Sequence, residues 1–366
     1  MSPLGYKKQT KKVSVHVHKH WHTYLLGICA LLLSSCVDND VLVPVDNCRA
    51  AVPISFVGSQ VDRAVTLHAN NLSLHLGTMG VWGWRNGMLD KNTCVYDNQL
   101  VCYNNDSARW EYSPLQYWRK DSQYEFCAYA PHQHGTPSEV SIDNTSHMIT
   151  INNVTLHGCN LQDTPTPQTL EQFSGTKDTD WMVARAGQTA IGAAGMDVEF
   201  MMQHILGKLD IRIKACPALL KRPHIDHITA DSINVGKLPS HGNFTQQLTH
   251  TPIISKPEEA AINEWKAYST DLDIKGTHEC TLASTPTYIV ESLVIPHYIQ
   301  AESNIELYYS YHYADGHKEQ CRYCMPLDAA FSRFVSGYTH TLTFTVCSTR
   351  IDFEAGANDW EINTSN

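Results

Sequence analysis

Apolar and polar residues alternate with a period of two along most of the chain. Val52-Pro-Ile-Ser-Phe-Val57, Leu72-Ser-Leu-His-Leu76, Tyr124-Glu-Phe-Cys-Ala-Tyr129 and His147-Met-Ile-Thr-Ile-Asn-Asn-Val154 all follow it. So do Ile211-Arg-Ile-Lys214, Ile228–Val235, Ser292–Pro296, Ile305–Tyr313 and Thr339–Val346. Short alternating runs separated by Gly, Pro, Asn and Asp predict an antiparallel, all-β protein. Ala314-Asp-Gly316 reads as a hairpin turn. Helical spacing is scarce: Phe200–Leu209 and Pro257–Trp265 are the two places where a turn or two of helix is expected. Leu161–Gly175 and Gly187–Gly195 have loop composition. A proline ends strand pairing, so Cys216-Pro217 marks the expected boundary between two domains, 51–215 and 216–366.

Composition narrows the function classes. The 366 residues are 42% hydrophobic and 17% charged, which excludes a disordered chain. The net charge of −10 argues against a nucleic-acid partner. No serine-nucleophile elbow, His-Glu-x-x-His pair, phosphate loop or calcium loop is present, so neither an enzyme nor a cofactor is expected. Gly77-Thr-Met-Gly-Val-Trp-Gly-Trp84 does not fit a dinucleotide loop and reads as a strand with close backbone approach. His224 and His227, beside Asp226, are the best metal-ligand candidates, with a plain surface pair as the blander reading. Asp178, Asp180 and Glu199 are acids without a fixed pairing. Trp82, Trp84, Trp110 and Trp118, with Tyr112 and Tyr117, could stack on sugars, but packing explains them more simply. Cys321-Arg-Tyr-Cys324 has redox and zinc spacing, without the second pair or the helix start that either site needs.

The first residues read as an export signal. Five lysines and no acid precede Cys36, and Tyr24–Leu33 is a short apolar run. It is too short to span a bilayer and suits a cleaved signal. Leu33-Ser-Ser-Cys36 resembles a bacterial lipobox, which makes Cys36 the expected lipidation site, with 1–35 as signal peptide and 36–50 as an acylated leader. Acyl chains would then hold the chain on a membrane. His16, His18, His20 and His22 lie within the expected signal. The ten remaining cysteines make some disulfides plausible in an oxidising compartment, with no pairing indicated.

Several segments together resemble the fimbrillin-like (Mfa-like) family of type V pilus lipoproteins. They are the lipobox, Pro53-Ile-Ser-Phe56, Asp62-Arg-Ala64 and Gly80-Val-Trp-Gly-Trp84. Next come Trp110-Glu-Tyr-Ser-Pro-Leu-Gln-Tyr-Trp118, Tyr124-Glu-Phe-Cys-Ala-Tyr-Ala-Pro131, Asp180-Trp-Met-Val-Ala184 and Val198–Leu209. Gly337–Phe344, Ile351-Asp-Phe353 and Asp359-Trp360 complete the set. The resemblance implies two tandem β-sandwich domains, the first transthyretin-like, and a structural or adhesive role in a cell-surface fimbria. The expected location is the outer membrane, with other fimbrial subunits as partners. A surface lipoprotein that binds a glycan or host ligand is the alternative.

Strand exchange would follow proteolytic trimming. Arg63, in a stretch of loop composition after the first strand, is the expected cleavage site, with Arg49 as competitor. Thr339–Val346 and Arg350–Phe353 are the expected donor region, with three or four apolar side chains buried in the exchange. Asp106-Ser-Ala108 and Asp231-Ser-Ile233 resemble a three-residue O-glycosylation acceptor, which makes Ser107 and Ser232 candidate sites.

Overall fold

Alternating runs become strands at nearly every predicted place in the computed structural model. It describes residues 52–60, 77–85, 93–119, 122–132, 139–143, 148–158, 178–190, 197–247, 264–276 and 279–359. In chain order, β1 is Phe56–Gln60, β2 Thr78–Arg85, β3 Cys94–Asn104, β4 Arg109–Glu111 and β5 Ser122–Ala130. Then come β6 (Glu139–Asp143), β7 (Met148–Thr155), β8 (Met182–Ala190), β9 (Val198–His204) and β10 (Gly207–Ala215). Pro217 opens α1 (Pro217–Leu220), followed by β11 (Ile225–Leu238), β12 (His241–Gln247), β13 (Trp265–Tyr268) and β14 (Leu272–Gly276). The remainder is β15 (Cys280–Thr281), β16 (Thr287–Val294), β17 (His297–Tyr298), β18 (Asn304–Tyr313), β19 (Lys318–Pro326), β20 (Arg333–Phe334), β21 (Tyr338–Val346) and β22 (Ile351–Asp359). The fold is all-β.

Two expectations are corrected. Phe200–Leu209 is not helical; it runs from β9 into β10 with a break at Ile205 and Leu206. Gly187–Ala190, expected in a loop, belongs to β8 and pairs with β5 from Ser122 to Glu125. The predicted hairpin is present between β18 and β19, with Gly316 at φ +85° donating its N–H to the Tyr313 carbonyl. That φ is open to glycine at no steric cost. Leu72–Leu76, Leu161–Gly175 and the 257–263 part of the second helical candidate lie outside the described residues, and the candidate's last residue, Trp265, opens a strand, not a helix.

Four main sheets result. The first has seven strands in the order β1-β9-β8-β5-β2-β3-β4. Its central strands β2 and β5 are buried on both faces, because they carry apolar side chains on alternate sides. From β5, Tyr124, Phe126, Ala128 and Ala130 enter an aromatic cluster with Ile54, Phe56, Tyr96 and Phe200. Cys127 and Tyr129 enter the opposite, larger core, with Trp82, Trp84 and Trp181. The other sheets run β13-β12-β7-β6, β16-β10-β21-β22 and β14-β11-β18-β19. Pairing crosses Cys216-Pro217 in both directions: β7 bonds to β12, and β10 lies between β16 and β21.

Candidate assembly groove

The first described segment closes the seven-stranded sheet. On one side, β1 lies parallel to β9 from Phe56–Val198 to Gln60–Met202, and Val198 donates its N–H to the Ser55 carbonyl at 2.8 Å. On the other side, Ile54 donates its N–H to the Gln116 carbonyl at 2.9 Å, and Trp118 donates to the Val52 carbonyl at 3.0 Å. Pro53 and Tyr117 form the bridge between them. Residues 52–60 therefore satisfy backbone groups on both flanks at once. Without them, two rows of donors and acceptors would be left as an open template.

Side chains fill the space between those flanks. Ile54 and Phe56 point inward and are 1% and 2% exposed, whereas Val57 points out. The Phe56 ring lies 5.4 Å from Tyr96, 5.4 Å from Tyr112, 6.0 Å from Phe126 and 5.6 Å from Phe200. Tyr96 donates to the Tyr112 hydroxyl at 2.8 Å, and Tyr112 donates to the Ile54 carbonyl at 2.7 Å. Burial, followed by the hydrogen bond with Tyr112, holds the Tyr96 phenol far above its ordinary pKa, so it stays a neutral donor. Burying Ile54 and Phe56 contributes roughly 1.5–3 kcal/mol each. Two residues of this segment are thus fully inserted, with Val52 half-buried.

At the opposite end of the chain, β22 is an edge strand. It pairs with β21 alone, Val346 facing Ile351, Phe344 facing Phe353 and Leu342 facing Ala355. Facing residues of an antiparallel pair share one side of the sheet. The apolar side of β22 therefore continues the core side of β21, yet Phe353 is 37% exposed and Ala355 and Ala357 are exposed. By contrast, His340, Leu342, Phe344 and Val346 of β21 are buried. Of the expected donor region, only β22 is peripheral.

The remaining candidates fall as follows. Cys36, Arg49 and Arg63 lie outside the described residues. Ser107 sits in an exposed turn and donates to Glu111 Oε1 at 2.7 Å. Hydrogen bonds from Asn104 and Ser107 pull the Glu111 carboxyl below its usual range. Ser232 is half-buried in β11, opposite Tyr308. Trp82, Trp84, Trp110 and Trp118 are all buried, so no tryptophan platform for sugars exists among them. His227 stacks on His312 at 4.1 Å and contacts Asp226, while His224 stacks on Tyr313. Among the described residues no group of three or more metal-ligating side chains is assembled. Asp178 accepts the His157 N–H at 2.6 Å and Asp180 lies 2.8 Å from His204, so each acid is committed to a separate histidine. Cys321 and Cys324, three residues apart on β19, project from opposite sides of the strand.

Two clefts are also present among the described residues. One, of 630 Å³, is lined by His157, Ser240, His241, Asp271, Asp273 and Lys275 among others. The second, of 430 Å³, has exposed Tyr268 and Tyr298 at its walls with Thr270, Gln300 and Glu302 between. Nothing in the local sequence signals either, because their walls come from segments far apart in the chain.

The fimbrillin-like family model matches residues 75–360. The chain belongs to the fimbrillin-like family. A fimbrial protein from Bacteroides vulgatus shares its fold, with a TM-score of 0.58 at 15% identity over 84% of this chain and 99% of that one. The tip fimbrial protein Mfa3 from Porphyromonas gingivalis, C-terminally truncated, aligns over 84% of this chain and 98% of its own, at 9% identity and a TM-score of 0.36. A search of curated proteins returns no match. This fimbrillin-like chain has no helix among its described residues long and apolar enough to cross a membrane.

Proposed function

We propose that this chain is a structural or adhesive subunit of a cell-surface fimbria, exported as a lipoprotein and assembled by strand exchange. Acylated Cys36 would hold it at the outer membrane until a cut after Arg63 releases residues 52–60 with the anchor. The tandem-domain reading keeps its boundary near Cys216-Pro217, with β7 and β10 reaching across it. The observation that carries the assembly reading is the segment 52–60, bonded on both flanks with Ile54 and Phe56 in an aromatic slot.

The donor is β22. It repeats the slot-filling pattern of the first segment: Ile54-Ser-Phe56 has its counterpart in Ile351-Asp-Phe353. An extended segment with the same two side chains two residues apart supplies the same ladder and the same plugs. Ser107, on an exposed turn, is the better placed of the two glycosylation candidates.

Treating the purified protein with an arginine-specific protease tests this. A new N-terminus at Ala64 with SDS-resistant ladders is expected, and Arg63→Ala should give neither. Cleavage at Arg63 without oligomers would sink strand exchange and leave the anchor role. Mass spectrometry of the mature N-terminus from cells should show acylated Cys36 before trimming, and Cys36→Ala should abolish the label from a fatty-acid analogue. The glycan-binding alternative is favoured by the cleft between Tyr268 and Tyr298, since exposed aromatic faces beside amide and carboxylate groups suit a sugar.

A further inference from the structure

Eight cysteines lie among the described residues, none of them joined to another by a disulfide. Six have no other described cysteine beside them. Cys94 and Cys102 sit eight positions apart on one strand, Cys127 is buried beneath β5, and Cys321 and Cys324 face opposite ways. Cys280 and Cys321 are separated by two intervening strands, through Ala230 and Tyr309.

Cys216 and Cys347 differ. β10 and β21 run parallel and in register up to Ala215 and Val346, and Cys216 donates its N–H to the Val346 carbonyl at 2.9 Å. The two cysteines are the next residues on each strand. Both follow directly on buried Ala215 and Val346, and each is half-buried, with Cys216 packed against the edge of the large core. Cys216 lies near enough to raise the pKa of the Cys347 thiol. Neighbouring strands stand about 4.7–4.9 Å apart, within the Cα separation of roughly 4.4–6.8 Å that a disulfide spans.

We propose that Cys216 and Cys347 form a disulfide once the chain reaches an oxidising compartment, fastening the root of the C-terminal edge strand to β10. The proposal rests on the export reading above for its setting. The oxidant is a second disulfide: one thiolate attacks it to give a mixed disulfide and a released thiolate. The other cysteine then displaces the second thiolate, the two cysteine protons pass to the released thiolates, and the oxidant leaves as two thiols. Burial, and then the neighbouring Cys216, push the Cys347 thiol up to about 11, so uncatalysed exchange at neutral pH is slow.

The position gives the link a mechanical meaning. Cys347 opens the tight turn into β22, its N–H bonded to the Arg350 carbonyl at 2.9 Å. Tension applied at the free end of β22 peels it from the Asp359–Tyr338 end toward that turn. Beyond the turn lies β21, whose Leu342 and Phe344 are core residues. A Cys216–Cys347 bond stops the peeling there.

Purified full-length protein is incubated with oxidised glutathione at pH 8, digested with trypsin under non-reducing conditions and mapped by mass spectrometry. The expected product joins Ala215–Lys221 to Phe334–Arg350, about 2 Da lighter than the two free peptides together. Cys216→Ser and Cys347→Ser should each abolish it and trap glutathione on the remaining cysteine. Oxidation should raise the melting temperature of the wild type by several degrees and leave the variants unchanged. Free thiols at both positions in a protein that keeps its β-sheet dichroism would overturn the proposal. So would reduced Cys216 and Cys347 in protein taken from cells whose mature N-terminus is acylated Cys36. An unprocessed N-terminus with the bond formed in vitro would instead count against the export reading and support the geometry.

Discussion

Single residues show why the glycines of the second strand are required. A Cβ on Gly83 would stand 2.7 Å from the Tyr96 ring and 2.8 Å from Phe126, and one on Gly80 would stand 2.2 Å from the Tyr129 ring. The aromatic rings lie flat across the strand at these two points, so the space is already occupied. Gly83→Ala should cost about 1–3 kcal/mol through overpacking, read as a lower urea midpoint with an unchanged slope. The close approach was legible in Gly80-Val-Trp-Gly-Trp84, although the rings that fill the gaps were not. His297 makes a different case. Its Nδ1–H donates to the Ile295 carbonyl at 2.7 Å, the ring packs 5.6 Å from Phe334, and burial pulls its pKa below 6.5. The unfolded chain therefore takes up a proton that the folded chain refuses. Stability is fully present above the ordinary value of 6.5 and is lost as the pH falls below it. The melting temperature should fall between pH 6.5 and 5, and His297→Gln should flatten that slope; an unchanged slope in the variant would show that other groups set it.

Among the elements, the segment 52–60 is the one whose hold on the rest can be tuned. Phe56→Ala removes a ring that touches four others and should cost about 3–5 kcal/mol. Tyr112→Phe removes only the hydrogen bond to the Ile54 carbonyl and should cost about 0.5–1.5 kcal/mol. After a cut at Arg63, both variants should release the severed segment faster than wild type in gel filtration, Phe56→Ala more so. Equal release would mean that the slot does not retain the strand. The segment's own alternation made it visible in the sequence. Its seat was not, because Tyr96, Tyr112, Phe126 and Phe200 come from four separate stretches and no local pattern joins them. Residues 198–204 misled for a local reason: Met201 points outward and is 50% exposed. An apolar residue on the solvent side hides the period of two, and Phe-Met-Met reads as helix.

For the molecule as a whole, the two ends of the described chain stand in opposite relation to the core. The first segment is inserted and sealed; the last strand, β22, is paired along one edge with its apolar side uncovered. A subunit that gives up the first and offers the second has one acceptor and one donor, and a head-to-tail contact of that kind propagates as a filament instead of closing as a dimer. The donor side chains can then be altered without touching the monomer's core. Phe353 is 37% exposed, so Phe353→Asp should change the stability of the uncut protein by less than about 1 kcal/mol. In the acceptor slot the same carboxylate would meet the Tyr96, Phe126 and Phe200 rings that now enclose Phe56, a burial that costs several kcal/mol. Cut Phe353→Asp protein should therefore stay monomeric on SDS gels while cut wild type forms ladders. Mixing the two should give short chains, because the variant still accepts a strand but cannot donate one. Full-length ladders from the variant alone would exclude β22 as the donor.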